Sequence, residues 1–394
     1  MRRIGVVTIA RSDYGIYLPI LRKIQADPAL QLHLIVAGMH LSPEFGSTVE
    51  AIEVDGFEIG ERVEMLLSSD TPEGISKSMG LGLIGFAQVY ARVRPDILVV
   101  LGDRFEMHAA TLAALPFKIP VAHVHGGEVT QGAMDDALRH SMTKLSHLHF
   151  VSTQAYADRV LQLGEEPWRI TICGAPSLDN LQTVKLMSKN ELETKYGLRL
   201  DRPPLLVTFH PVTLEYDQTE WQTNELLAAL EVCDMPIIFT MPNADTNSRI
   251  IMRMLEIFVQ GHPSTQLVHN LGTPGYFSLM ALATAMVGNS SSGIIEAPSF
   301  KLPVINIGTR QQGRIKAANV IDTGYGCDEI IAAIKKATQP AFRESLRGLV
   351  NPYGAGQASG KIIERLKNVV LDNQLIAKRF YDLENGSSIG VIQA

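Results

Sequence analysis

Two stretches of this chain concentrate groups that can move protons. GDRFEM places Asp103 and Arg104 directly after an apolar run, and HVHGGEVTQGAMDDALRH gathers His125, Glu128, Asp135 and Asp136 within twelve residues. Carboxylates that share a pocket repel one another, which raises at least one pKa and fits that group for acid or base work. Gly126 and Gly127 let a ligand approach the backbone closely. A plainer reading stands beside this one: Asp103 would cap the helix beginning near Phe105, and Asp135 or Asp136 the helix running to His140. Capping needs one acid, however, and no histidine or glutamate upstream. His210 in TFHPVT follows another strand-like run and is either a satisfied core residue or a group aimed into a cleft. Arg11, Arg104, Arg249 and Arg310 lie near candidate loops. Each alone reads as a surface residue, but guanidinium forks bind phosphate, so together they could hold a diphosphate without a metal. GNSSSGIIEAP offers more hydroxyls than a helix start requires. Ser292 serves as the ordinary cap, leaving Ser290, Ser291 and backbone N–H groups for an anion.

Residues this far apart in sequence meet only if the fold brings strand ends together. RIGVVTIA, LHLIVAG, DILVVLGD, IPVAHVHGG, LHFVST and RITICGAP read as strands, with amphipathic segments such as Ile16–Ile24, Ile75–Val93 and Phe105–Phe117 between them. PLLVTFHP, PIIFTMPN, QLVHNL, AMVGNS and LPVINIG repeat the pattern after Pro203. Apolar strands separated by helices imply parallel sheets covered on both faces, an α/β fold with two doubly wound, Rossmann-like domains. The polar segment Asp179–Arg202 carries no strand pattern and marks the seam, giving domains at 1–178 and 179–365. Ligands of such sheets bind beyond the carboxyl ends of the strands. ARSDYG, GDRFEM, HGGE, FHPVT, MPNAD and GNSSSG all stand at such ends, and a cleft between the two sheets would collect them.

Composition narrows the classes. With 394 residues, 46% of them hydrophobic and 19% charged, the chain can build a large core. A net charge of −6 gives no electrostatic case for nucleic acid. Three widely spaced cysteines fit reduced thiols in the cytoplasm rather than a disulfide framework. The start, MRRIGVVTIARSDYG, has too short an apolar run before Arg11 and Asp13 for a signal peptide, and reads as a first strand. No apolar run approaches the roughly 20 residues that would span a bilayer, so no membrane partner is expected.

Three apparent motifs are decoys. GLGLIG (80–85) has the dinucleotide-loop letters but sits in a helical stretch, where small residues serve packing. AGQASGK (355–361) lacks the first glycine and the final Ser or Thr of a phosphate loop. Eleven histidines show no zinc spacing, so neither metal nor cofactor is expected.

Taken in order, TIARSDYGIYLPIL, GDRFEM, HGGE…DDALRHSMTKLSHLHF, GAPSLDNL, FHPVT, GNSSSGIIEAP, PVINIGTRQQGR and NPYGAGQAS resemble the hydrolysing UDP-N-acetylglucosamine 2-epimerases of the sialic and legionaminic acid type, across nearly the whole chain. The resemblance implies two domains of the glycosyltransferase-B type with UDP in the central cleft, and residues 366–394 crossing back onto the first domain. It implies that Arg11, Arg104, His210, Asn243, Arg249, Ser290, Ser291, Glu296 and Arg310 line the UDP site, with Glu296 able to accept from a ribose diol. It implies catalytic positions at Asp103, Asp135, Asp136 and His210, and a homodimer or homotetramer. One departure is evident: where the sialic-acid members carry a glutamate in H-x-E-G-G-E, this chain has His125, while Glu128 remains.

The chemistry follows from the substrate class. The C2 hydrogen of a pyranose is not acidic, so UDP must leave first through an oxocarbenium-like state. Loss of H2 then gives a 2-acetamidoglycal, and water adds across it with the proton arriving at the opposite face of C2. Asp103, the Asp135/Asp136 pair and His125 are candidates for this proton work. Other readings of the same architecture are a glycosyltransferase, a non-hydrolysing epimerase and a nucleotide-sugar-binding regulator without turnover.

Overall fold

A computed structural model describes residues 1–383 apart from Ser47, Gly132, Asn243 and Ala244. Thirteen strands are described: β1 (Arg2–Thr8), β2 (Leu30–Ala37), β3 (Ile59–Val63), β4 (Ile97–Leu101), β5 (Val121–Val124), β6 (Leu148–Val151), β7 (Ile170–Ile172), β8 (Leu205–Thr208), β9 (Ile237–Thr240), β10 (Thr265–Val268), β11 (Ala285–Gly288), β12 (Val304–Ile307) and β13 (Val320–Thr323). They form two sheets, ordered β3-β2-β1-β4-β5-β6-β7 and β10-β9-β8-β11-β12-β13, with parallel pairing throughout. Both sheets therefore share one Rossmann order, each reversing direction at its centre, between β1 and β4 and between β8 and β11. Loops leaving such a pair diverge and open a crevice. The central strands β4, β8 and β11 are buried at every residue, which is why they read as unbroken apolar runs. The edge strands β3 (IGERV) and β13 (VIDT) are only partly buried and each carries two adjacent polar residues, Glu61-Arg62 and Asp322-Thr323, so the sequence pattern passed over them.

The first helix, Arg11–Ala26, begins with an acid in place of a cap. Asp13 accepts from Thr8 Oγ1 at 2.9 Å, Ile9 N at 2.9 Å and Ala10 N at 2.6 Å, fixing the turn that leaves β1. Pro19 lies inside this helix and has no N–H for the carbonyl of Gly15; Asn180 Nδ2 supplies the missing donor at 2.8 Å. The GLGLIG segment is part of helix Pro72–Arg92. A Cβ at Gly82 would meet Met65 at 2.5 Å and one at Gly85 would meet Val63 at 2.6 Å, so these glycines serve packing.

The chain returns to the first sheet through helix Ala358–Asn368. Ala358, Ile362, Ile363 and Leu366 belong to the same apolar cluster as β1 and β4, so the crossing back starts ahead of residue 366. The start of this helix, which has near-phosphate-loop letters, is occupied from within the chain. The Asp179 carboxylate accepts from Ala358 N at 2.9 Å and Ser359 N at 2.7 Å. A separate cluster that includes Leu205, Val207, Phe239 and Ile305 forms a core of the second sheet.

Candidate active site

The two sheet centres face one cleft of about 290 Å³. On its first wall stand Arg11, Asp103, Arg104, His125, Glu128 and Asp135, from the loops after β1, β4 and β5 and the start of helix Asp135–Leu145. Helix spacing brings in a residue the sequence reading missed. Arg139, four positions after Asp135, lies on the same helical face and lines the cleft. It bonds the Asp103 carboxylate and donates to the His125 carbonyl at 2.8 Å and to Thr130 Oγ1 at 3.2 Å. His125 is held in the left-handed region at φ +65°, which a non-glycine residue adopts at a cost, and such strain clusters at functional sites. Its Nδ1 donates to Glu128 Oε1 at 2.6 Å, and Ser152 Oγ donates to the same oxygen at 2.9 Å. Burial opposes the Glu128 charge, but His125, Arg314 and Arg139 outweigh it and hold the carboxyl well below its ordinary range. Asp135 behaves in the opposite way. Burial and repulsion from Asp103 and Asp245 push it up to about 7 against the pull of Arg104 and Arg310.

The second wall carries His210, Ser290, Ser291, Glu296 and Arg310. His210 follows β8, and its peptide is clamped by Asn289. His210 N donates to Asn289 Oδ1 at 2.7 Å, and Asn289 Nδ2 donates to His210 O at 2.8 Å. Burial first, then Arg310, drop its imidazole to about 3 despite Asp245, so it is neutral at physiological pH. Gly288 permits the sharp exit from β11, where a Cβ would stand 2.0 Å from the Thr208 carbonyl. The helix that follows is a single turn, Ser292–Ile295, with Ser291 rather than Ser292 at the cap position and no side-chain cap bond. Ser290 Oγ instead accepts weakly from Ser292 N at 3.3 Å. Glu296 ends the turn, bonded by Ser177 Oγ. Burial pushes its carboxyl up to about 7, against the hydroxyl of Ser177 and nearby His125.

Not every expected residue reaches the cleft. Asp136 does not line it: successive helix residues diverge by about 100°, and its carboxylate turns back to accept from Thr130 N at 2.6 Å. It closes the 130–136 loop. Arg249, in the first turn of helix Ser248–Gly261, points to the rim. Its fork is filled by Glu44 at 2.7 and 2.8 Å, and it also donates to Ser68 O at 3.2 Å. Asn243 lies outside the described residues. Two partners were invisible to sequence patterning because they act across the cleft. Asp245 accepts from Arg104 Nη1 at 2.8 Å, and Arg314 lies 3.1 Å from Glu128. Among the described residues no cluster of three or more His, Cys, Asp or Glu side chains is placed to hold a metal ion, and no helix is long and apolar enough to cross a membrane.

Two Rossmann-like domains closed on one cleft define a protein of the glycosyltransferase-B type. A crystal structure of UDP-GlcNAc 2-epimerase from Neisseria meningitidis bound to UDP-GlcNAc shares this fold, with a TM-score of 0.78 at 20% identity over 93% of this chain and 99% of that one. Residues 22–367 match the UDP-N-acetylglucosamine 2-epimerase family, and the chain belongs to it. The chain is 40% identical to the GDP/UDP-N,N'-diacetylbacillosamine 2-epimerase (hydrolyzing) of Campylobacter jejuni, over 97% of this chain and 99% of the relative. It is 35% identical to the UDP-N,N'-diacetylbacillosamine 2-epimerase (hydrolyzing) of Legionella pneumophila, over 96% and 99%.

Proposed function

We propose that this enzyme is a hydrolysing 2-epimerase that converts UDP-N,N'-diacetylbacillosamine to UDP and 2,4-diacetamido-2,4,6-trideoxymannose. The carrying observation is one cleft in which the hydroxyls, neutral imidazole and Arg310 of the second wall face Arg11, Arg104 and a cluster of acids around His125 on the first. Arg11, Arg104 and Arg310 neutralise the diphosphate, with Ser290 and Ser291 donating to it and Glu296 accepting from the ribose. His210, being neutral, contributes a hydrogen bond rather than a charge. The C1–O bond breaks with its electron pair leaving on UDP, and His125, paired with Glu128, takes the C2 proton to give the glycal. Water then supplies hydroxyl to C1, and Asp135 or Asp103 delivers a proton to the opposite face of C2. A carboxyl poised near 7 on the acid wall supports Asp135 as that donor.

The names of the two relatives favour the diacetamido sugar over UDP-N-acetylglucosamine, whose product would be N-acetylmannosamine. Either product is a six-carbon amino sugar of the kind extended to nonulosonic acids, and we place the enzyme in the cytoplasm as a homodimer or homotetramer. The domain division we propose is 1–178 and 179–357, with the chain from Ala358 onward returning to the first domain. The test is a side-by-side assay of the two UDP-sugars with no acceptor present. Stoichiometric UDP and a free epimer, faster from the diacetamido sugar, are expected. Release only when an acceptor is added would point to a glycosyltransferase, and an epimer still attached to UDP to a non-hydrolysing enzyme.

A further inference from the structure

Arg314 belongs to the loop between β12 and β13, on the second domain, yet its guanidinium ends on the first. Nε donates to Val129 O at 3.0 Å, Nη2 donates to Thr130 Oγ1 at 3.3 Å, and Nη1 lies 3.1 Å from Glu128 Oε2. Its side chain is 5% exposed and that of Glu128 1%. The other oxygen of the same carboxylate accepts from His125 Nδ1. Arg314 and His125 thus divide one carboxylate between them. A carboxylate held on Nδ1 fixes the Nδ1–H tautomer and leaves the Nε2 lone pair available. His125 Nε2 is buried and has no hydrogen-bond partner among the described residues, and His125 lines the cleft. Arg139 also approaches Glu128, but only to 3.9 Å, and its fork is engaged by Asp103 and the His125 carbonyl.

The Arg314 loop is built for this reach. Gly313 adopts φ +81°, and a Cβ there would stand 2.7 Å from Val129 of the first domain. Ile315, on the other side of Arg314, has both peptide groups tied down: its N–H donates to Tyr156 Oη at 3.1 Å and its carbonyl accepts from Tyr353 Oη at 2.9 Å. The two tyrosines bond each other at 2.8 Å. Tyr156 lies on helix Gln154–Gln162 of the first domain and Tyr353 just before the helix Ala358–Asn368 that crosses back. A surface arginine would need none of this.

We infer that Arg314 is the positioning residue of the His125–Glu128 pair, supplied by the domain that holds UDP. It keeps Glu128 ionised and in place, Glu128 orients the imidazole, and Nε2 faces the proton to be moved. Because Arg314 comes from the opposite domain, the pair is complete only when the domains meet, which ties diphosphate capture to the proton step. This rests on the epimerase reading above.

The test uses the full-length enzyme with Arg314→Gln, Arg314→Lys, Glu128→Gln and the Arg314→Gln/Glu128→Gln double variant. UDP alone is the calorimetric probe of binding and fold, and UDP release from the better of the two sugars gives kcat and KM. Arg314→Gln should lose about 10²-fold in kcat, in the range of a general acid–base contribution, with UDP affinity within about threefold of wild type. Arg314→Lys, which keeps the charge, should recover part of that loss. On the Glu128→Gln background, Arg314→Gln should cost nothing further. Wild-type kcat in Arg314→Gln, a loss confined to KM and UDP affinity, or multiplicative costs in the double variant would each overturn the inference. If Arg314→Gln fails to bind UDP, the lysine variant decides: reduced kcat at wild-type UDP affinity supports the inference, and wild-type kcat overturns it. A wild-type enzyme that releases UDP from neither sugar would instead sink the functional reading itself, a result visible before any variant is made.

Discussion

The two walls of the cleft are made by sheets of the same strand order, yet they handle charge in opposite ways. On the first wall every carboxylate singled out has a named electrostatic partner: Asp103 with Arg139, Glu128 with His125 and Arg314, Asp135 between Asp103 and Arg104. On the second wall the imidazole of His210 is neutral and the Glu296 carboxyl is raised to about 7, so hydroxyls and Arg310 dominate. A wall that must bind a dianion gains from neutral donors and a positive fork. A wall that must pass a proton needs groups whose protonation states are set against each other, and crowding acids around arginines achieves this. One topology therefore carries hydroxyl and imidazole donors on one side and the proton-transfer groups, with Arg11 and Arg104, on the other, the difference lying in the loops after the central strands.

The sharpest way to break this contrast is to remove a group from each wall. Asp103→Asn should lower UDP release by about 10²-fold or more, the range of a general acid–base group, while His210→Ala, which removes a hydrogen bond worth about 0.5–1.5 kcal/mol, should cost roughly 3- to 10-fold. Near-wild-type turnover in both would contradict the assignment. A smaller effect separates Arg310 from Arg249. Arg310→Gln removes a partly buried charge-assisted donor worth about 1.5–3 kcal/mol, so UDP affinity should fall roughly 10- to 100-fold. Arg249 pairs with Glu44 at an exposed rim, where such pairs contribute about 0–1 kcal/mol, so Arg249→Ala should change UDP affinity by less than about fivefold. Calorimetry with UDP distinguishes them, and equal losses would place Arg249 in the site.

The mildest effect lies in stability. Asp135 rises from an ordinary 3.8 to about 7 in the folded protein, so the native state holds an extra proton between those values. Its cost to stability therefore grows as pH rises through that window and is complete above about 7. Asp135→Asn removes that cost. The Tm gain of the ligand-free protein should be small near about pH 4 and largest near about pH 8. A gain independent of pH would mean that the carboxyl is not raised by its neighbours.

Much of this arrangement was legible in the sequence, for reasons that also explain what was not. Buried parallel strands announce themselves as short apolar runs, and β4 and β8 are of that kind. β3 and β13 lie at sheet edges, where most side chains are only partly buried, and the adjacent polar pairs Glu61-Arg62 and Asp322-Thr323 hid them. Residues at strand ends, such as Asp103, His210 and Ser290, could be singled out because a doubly wound sheet exposes those ends. Asp136 could not be told from Asp135 without the helix phase, which turns one inward and the other back onto Thr130. Arg139 carried a signal, four residues beyond Asp135, that spacing could have found. Arg314 and Asp245 close the quoted stretches PVINIGTRQQGR and MPNAD, but nothing in their spacing showed partners that lie across the cleft in the other domain.

The central claim is that UDP leaves first and that the C2 hydrogen is exchanged on the way to the free sugar. Running the reaction on UDP-N,N'-diacetylbacillosamine in D₂O and following the products by NMR tests both parts at once. The account expects UDP and free 2,4-diacetamido-2,4,6-trideoxymannose in equal amounts, with a single deuterium at C2. A free sugar that retains its original C2 hydrogen, or an epimer still attached to UDP, would contradict it.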